Sequence, residues 1–120
     1  MTASPARGPR RAPRPAHQPP PDELPRLAAL VLAAVEQVPP GTVVTYGDVA
    51  ELVGEGGPRQ VGAVLARYGS DVPWWRVLRA DGSAAPQVRD RAVEHWRRER
   101  TALRPDGLRV DLRVARWDGG

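Results

Sequence analysis

The sequence predicts a mainly α fold, a winged-helix-like helix-turn-helix domain with a short β hairpin or wing. Three observations carry that prediction. Apolar residues recur with helical spacing in separate segments. Two of the predicted helices are joined only by the short turn "GEGG". Strand-like alternation is confined to a few residues beside a "DG" turn and near the C-terminus.

Residues 1–21 are predicted to form a disordered arm with local polyproline character. They contain seven Pro and four Arg, and they have no apolar pattern able to offset chain entropy. The domain is assigned to residues 22–118. Its first helix should begin between Asp22, a capping residue, and Pro25, which suits a first turn. Leu24, Leu27, Leu30, Val31, Ala34 and Val35 keep helical spacing up to "VPPG". A short extended piece, Thr42–Val44, follows. Thr45 and Asp48 have the spacing of a capping box for a two-turn helix from Tyr46 to Val53, which Gly54 should stop.

Pro58 opens the next helix, "PRQVGAVLARY". Val61, Val64, Leu65 and Tyr68 share its apolar face. Arg59, Gly62, Ala63 and Ala66 share the other. The small residues lower helix propensity at Gly62 by about 1 kcal/mol relative to Ala, but they let the backbone approach another surface. Packing against a neighbouring helix accounts for them equally well. "VRDRAVEHWRRERTAL" reads as one further long helix, with Val88, Ala92, Val93, Trp96 and Leu103 buried. The end, "DGLRVDLRVARW", reads as a short strand or a docked tail.

Composition narrows the chemistry. The 120-residue chain has no Cys, which excludes disulfides, thiolate metal sites and a cysteine nucleophile. His17 falls in the arm, and His95 is expected alone on the outer face of the long helix, so neither a metal site nor a cofactor is expected. The apolar run Leu27–Val35 is about half the ~20 residues needed to cross a bilayer. A soluble cytoplasmic protein is therefore expected, with no membrane partner. All 18 basic residues are Arg. Residues 22–55 are acidic and residues 56–116 basic, so one face can meet a polyanion even though the domain is neutral.

The residue pair that demands explanation is Trp74–Trp75, in "VPWWRV". Taken together, "VPPGTVVTYGDVAELVG", "RQVGAVLA" and "VPWWRVLRADGS" resemble the DNA-binding domain of the O6-alkylguanine-DNA alkyltransferases. The resemblance is closer still to the alkyltransferase-like proteins, and it spans roughly residues 24–118. In the alkyltransferases the strip reads Pro-Cys-His-Arg, and the Cys accepts the alkyl group of a flipped guanine. Here Trp74 holds the Cys position and Trp75 the His position. The alkyltransferase-like proteins also lack the Cys, but generally keep the His. Thiolate transfer needs the sulfur, so the resemblance implies a binding protein with no catalytic residue.

By position, the resemblance gives Arg59 the role of a finger entering the base stack, with Gln60 beside it. Tyr46 becomes the residue that rotates the 3′ phosphate and lines the pocket. Gly62, Ala63 and Ala66 become the small residues of a helix lying in the minor groove. Trp74, Trp75, Arg76 and Val77 line the alkylated-base pocket, with Arg76 also anchoring its turn. Base–aromatic stacking at Trp74 is worth ~1–3 kcal/mol. Trp75 should point away if the strip is extended.

The implied partners are double-stranded DNA carrying alkylated guanine and nucleotide excision repair proteins, met by a monomer. Two other readings stay open. One is a winged-helix transcription regulator, against which stands the shortage of long polar side chains on the recognition helix. The other is a degenerate family member that binds protein through its tryptophans.

Overall fold

The structure, a computed structural model, describes residues 25–120. The predicted arm and the Asp22 cap lie outside the described residues. Helix α1 spans Arg26–Glu36 and begins one residue after Pro25, whose carbonyl accepts from the Ala29 amide at 3.0 Å. Its buried stripe is Ala28, Val31 and Val35. The chain then turns through Pro39–Thr42, where the Thr42 hydroxyl donates to the Pro39 carbonyl at 2.8 Å.

Strand β1 (Val44–Thr45) leads directly into α2 (Tyr46–Val53). The junction is the predicted capping box. The Asp48 amide donates to the Thr45 hydroxyl at 3.0 Å, and the Thr45 amide donates to the Asp48 carboxylate at 3.0 Å. Gly54 ends α2 in the left-handed region at φ 85°. Helix α3 (Pro58–Tyr68) follows, with Pro58 in its first turn. Val61 and Val64 are buried, and Leu65 and Tyr68 pack against the same core. Together with α1 and α2 they form the first of two apolar clusters.

The remaining elements build the second cluster around Trp96, which is fully buried. Strand β2 (Val77–Leu78) pairs with β1 in parallel, Val44 opposite Val77 and Thr45 opposite Leu78. The "DG" pair is a turn, as predicted: the Arg79 amide donates to the Ser83 carbonyl at 3.0 Å. The hairpin-like antiparallel bridge lies later in the chain, between Leu103 and Val110.

Leu103, on one side of that bridge, was predicted to be helical, whereas Val110 falls in the tail read as a short strand or docked tail. Helix α4 covers only Arg89–Glu99, after a 3-10 turn at Pro86–Val88. It stops because Arg100 enters the left-handed region at φ 61° and the Thr101 amide bonds back to the Trp96 carbonyl at 2.9 Å. The predicted continuation to Leu103 was therefore too long. The C-terminal segment is docked. After the short helix α5 (Leu112–Ala115), the Trp117 amide donates to the Val43 carbonyl at 2.8 Å, and the Val43 amide donates to the Ala115 carbonyl at 3.0 Å. None of the described helices is long and apolar enough to cross a membrane.

Candidate nucleic-acid interface

The capping box fixes where α2 starts, and so places Tyr46 at the mouth of a hollow between the two apolar clusters. The hollow has a volume of about 290 Å³. Tyr46, Gly62 and Ala66 line it from α2 and α3; Trp74, Trp75 and Val77 line it from the strip. The Tyr46 ring faces Gly62, where a side-chain carbon would stand 3.9 Å from it. Burial raises the Tyr46 phenol above its ordinary pKa, with Arg79 opposing, so the hydroxyl stays protonated.

Arg59, Gln60, Ala63 and Ala66 are exposed along α3, and Gly62 is half-buried. Gln60 is partly committed, since its side-chain oxygen accepts from the Gly57 amide at 3.0 Å. Arg59 makes no salt bridge among the described residues. Arg59, Gln60 and Ala63 lie outside the hollow's lining, on the open helix face.

The strip itself departs from the extended form assumed above. Trp74–Arg76 is a 3-10 turn, closed by the Arg76 amide donating to the Pro73 carbonyl at 3.0 Å. The two indoles therefore do not alternate to opposite sides. Both line the hollow, edge to face, with ring centroids 5.6 Å apart and planes at 87°. Arg76 does not line it. Its guanidinium donates to Glu99 at 3.1 Å through Nε and to the Val38 carbonyl at 2.9 Å, which leaves the anchoring role.

Three residues of α4 complete the site: Arg91 and Glu99, which the sequence did not single out, and His95, which was expected on the outer face of the helix. His95 is not on an outer face. It stacks on Trp75 at 3.7 Å with planes 7° apart, and meets Trp74 edge-on at 5.7 Å. Glu99 accepts from the Trp75 indole N–H at 2.9 Å as well as from Arg76. Burial raises the Glu99 pKa, but hydrogen bonds from Arg76, the Gly41 amide and Trp75 outweigh it and hold the carboxyl below its ordinary value. Arg91 lies over the Trp74 ring, its guanidinium carbon 5.4 Å from the centroid, at the edge of the hollow. Arg91, His95 and Glu99 sit at i, i+4 and i+8, a helical stripe that the sequence does display.

Trp75 is thus clamped on several sides. His95 covers one face, Glu99 takes the N–H, and its carbonyl accepts from the Trp96 indole at 2.8 Å. The Trp74 indole makes no hydrogen bond among the described residues and is held by ring contacts with Trp75, His95 and Arg91. The site holds no thiol, and among the described residues no group of three His, Cys, Asp or Glu could hold a metal ion. A larger hollow of about 520 Å³, between the Arg79–Ser83 turn and the segment after Arg104, shares no lining residue with this one. Four of its eight lining residues are charged and none carries an aromatic ring, so the smaller hollow is the better place for a flat ligand that stacks.

Comparison with known proteins agrees with the placement of these elements. Residues 26–107 match the 6-O-methylguanine DNA methyltransferase, DNA binding domain. The DNA base-flipping protein of Escherichia coli (strain K12) is 37% identical over 106 residues, covering 81% of this chain and 76% of that protein. The DNA base-flipping protein of Vibrio parahaemolyticus is 32% identical over 96 residues, covering 72% and 91%. The solved structure of S. pombe Atl1 in complex with damaged DNA containing O6-carboxymethylguanine superposes with a TM-score of 0.69 at 25% identity, over 80% of this chain and 98% of that one. The chain belongs to the family of the O6-methylguanine DNA methyltransferase DNA-binding domain, in its alkyltransferase-like branch.

Proposed function

We propose that residues 22–118 form a DNA-damage sensor that binds O6-alkylguanine in double-stranded DNA without removing the alkyl group. The observation that carries this reading is the hollow of about 290 Å³, walled by Trp74, Trp75 and Tyr46 beside the small-residue face of α3. A flipped purine fits the chemistry of such walls, because every base has a face that stacks on an indole. The base-flipping names of the relatives and the damaged DNA bound by Atl1 support the same reading.

In this mechanism α3 lies in the minor groove on Gly62, Ala63 and Ala66, with Gln60 at its edge. Arg59 fills the gap left in the stack, and Tyr46 turns the phosphate. Flipping costs a few kcal/mol, less for a damaged or mispaired base, and stacking on Trp74 offsets part of it. Trp75 and Arg76, both held by Glu99, position the strip. The chain acts as a monomer in the cytoplasm. Handing the lesion to nucleotide excision repair proteins rests on the family resemblance.

The test is binding to matched duplexes carrying O6-methylguanine or guanine, at one stated salt concentration, because phosphate contacts make affinity salt-dependent. Tighter binding to the lesion, with the alkyl group still on the DNA afterwards, is expected. Trp74→Ala should reduce that preference more than it reduces overall affinity. Tyr46→Ala and Arg59→Ala should weaken lesion binding while the circular dichroism stays native. Equal affinity for both duplexes would sink the sensor and favour general or sequence-directed DNA binding.

A further inference from the structure

A separate groove of about 190 Å³ runs between α2 and the C-terminal segment, lined by Asp48, Glu51, Leu52, Trp117 and Asp118 among others. It shares no lining residue with the candidate DNA site. Leu52 is 48% exposed, one of three exposed large apolar side chains among the described residues. Trp117 packs partly against the first apolar cluster. The carboxylates differ in how they are used. Asp48 is taken by Arg116, which donates to it at 2.9 Å through Nε. Asp118 accepts from the Gly120 amide at 3.1 Å and Glu51 lies near Arg116, but neither carboxylate is closed by an ion pair among the described residues. An indole and an isobutyl group flanked by them therefore suit a chain rich in Pro and Arg. Proline rings pack on the aromatic face at low entropic cost, and guanidiniums pair with the acids.

The chain carries such a segment itself. Residues 7–15 read "RGPRRAPRP", with four Arg, three Pro and no acid. The tether also leads to the right place. Arg26, at the start of α1, pairs with Glu55 just past the end of α2, and Leu27 packs on Gly56. Leu52 lies about one helical turn, ~5 Å of rise, from that point. Eleven residues lead from Arg14 to Pro25, and a chain of that length can span at most ~36 Å. We infer that Arg7–Pro15 docks on the Leu52–Trp117 groove of its own chain, with its arginines against Glu51 and Asp118. So docked, the arm is held away from DNA phosphates until a stronger polyanion competes for it. This inference does not depend on lesion recognition.

The absence of native Cys makes the test direct. A nitroxide placed on Ala12→Cys in the full chain reports which amides the arm visits. At low salt, the amides of Glu51, Leu52, Trp117 and Gly119 should lose most of their intensity, while those on the outer face of α4 keep theirs. The loss should disappear at about 0.5 M salt, where the Debye length is roughly 4 Å. It should also shrink in Arg11→Gln with Arg14→Gln, a change outside residues 25–120, and in Glu51→Gln with Asp118→Asn. Even broadening over the whole surface would overturn the inference. So would broadening seen only when spin-labelled chains are mixed with isotope-labelled ones, since the occupant would then be a second copy.

Discussion

The two apolar clusters are held in different ways. Around α1–α3, the shape comes from residues close in sequence: Thr45 and Asp48 cap α2, Gly54 ends it, and Pro58 starts α3. Around α4, it comes from bonds between distant residues. The Trp96 indole reaches the Trp75 carbonyl across 21 positions, and Trp75 and Arg76 reach Glu99 across 24 and 23. The candidate site lies on the seam. The first half supplies Tyr46 and the α3 face. The second supplies the tryptophans, whose positions depend on how α4 is docked. A pair of helices such as α2 and α3 can be built from local signals, whereas a hollow of this size needs walls from two parts of the chain.

The largest break in this arrangement is expected at Gly82. Its φ of 86° favours glycine, and an added side-chain carbon would stand 2.3 Å from the Val110 carbonyl oxygen. Backbone must move to admit it. Gly82→Ala should therefore destabilise by about 2–5 kcal/mol. Denaturant unfolding gives the size. Near-ultraviolet dichroism of the tryptophans, lost ahead of the far-ultraviolet helix signal, would show that the second half fails first.

Arg76→Ala should come next. The Arg76 and Glu99 side chains are each only 13% exposed, so removing the cation strands a nearly buried carboxylate. The expected cost is about 3 kcal/mol. Adding Glu99→Gln should recover a large part of it, and a double-mutant cycle measures the coupling. In the first half, by contrast, Thr45→Ala removes one cap and should cost about 1 kcal/mol, read as a shifted denaturant midpoint with the tryptophan signals unchanged.

This contrast also explains what the sequence showed. The capping box, the Gly54 stop and the Pro58 start were legible because each is set within a few residues. The end of α4 was not, because Arg100 takes a left-handed conformation without being Gly. The parallel pairing of two-residue strands leaves no periodicity to read. Of the residues that the resemblance put in one pocket, Tyr46, Trp74, Trp75 and Val77 line the hollow and Arg76 does not, while Gly62 and Ala66, which it put on the DNA-facing helix, line it too. Arg91 and Glu99 were passed over, and His95 was put on the wrong face, because one arginine-rich helix offers many such stripes. Only the position of the strip shows which stripe faces inward.

His95 lies furthest from its expected place, stacked on Trp75 and not on an outer face. Burial against the tryptophans lowers its pKa below the ordinary 6.5, helped by Arg98 and opposed by Glu99 and Glu94. As pH falls, the unfolded chain takes up this proton before the folded one does. The contribution to stability is therefore complete above about pH 6.5 and is lost as the medium is acidified through the lower folded value. Glu99 works in the same direction but at lower pH, since its ordinary value is 4.5 and the fold lowers it. The two limbs can thus be separated. Urea midpoints measured from about pH 7.5 to about pH 5 should fall for the native chain and stay level in His95→Gln. The effect should be the smallest of the four, because the imidazole is only partly buried. Parallel decline in both proteins would mean that the ring is solvated and leaves the stack. Trp75 would then be held by Glu99 and Trp96 alone, and the wall of the hollow would be looser on the α4 side than on the α3 side.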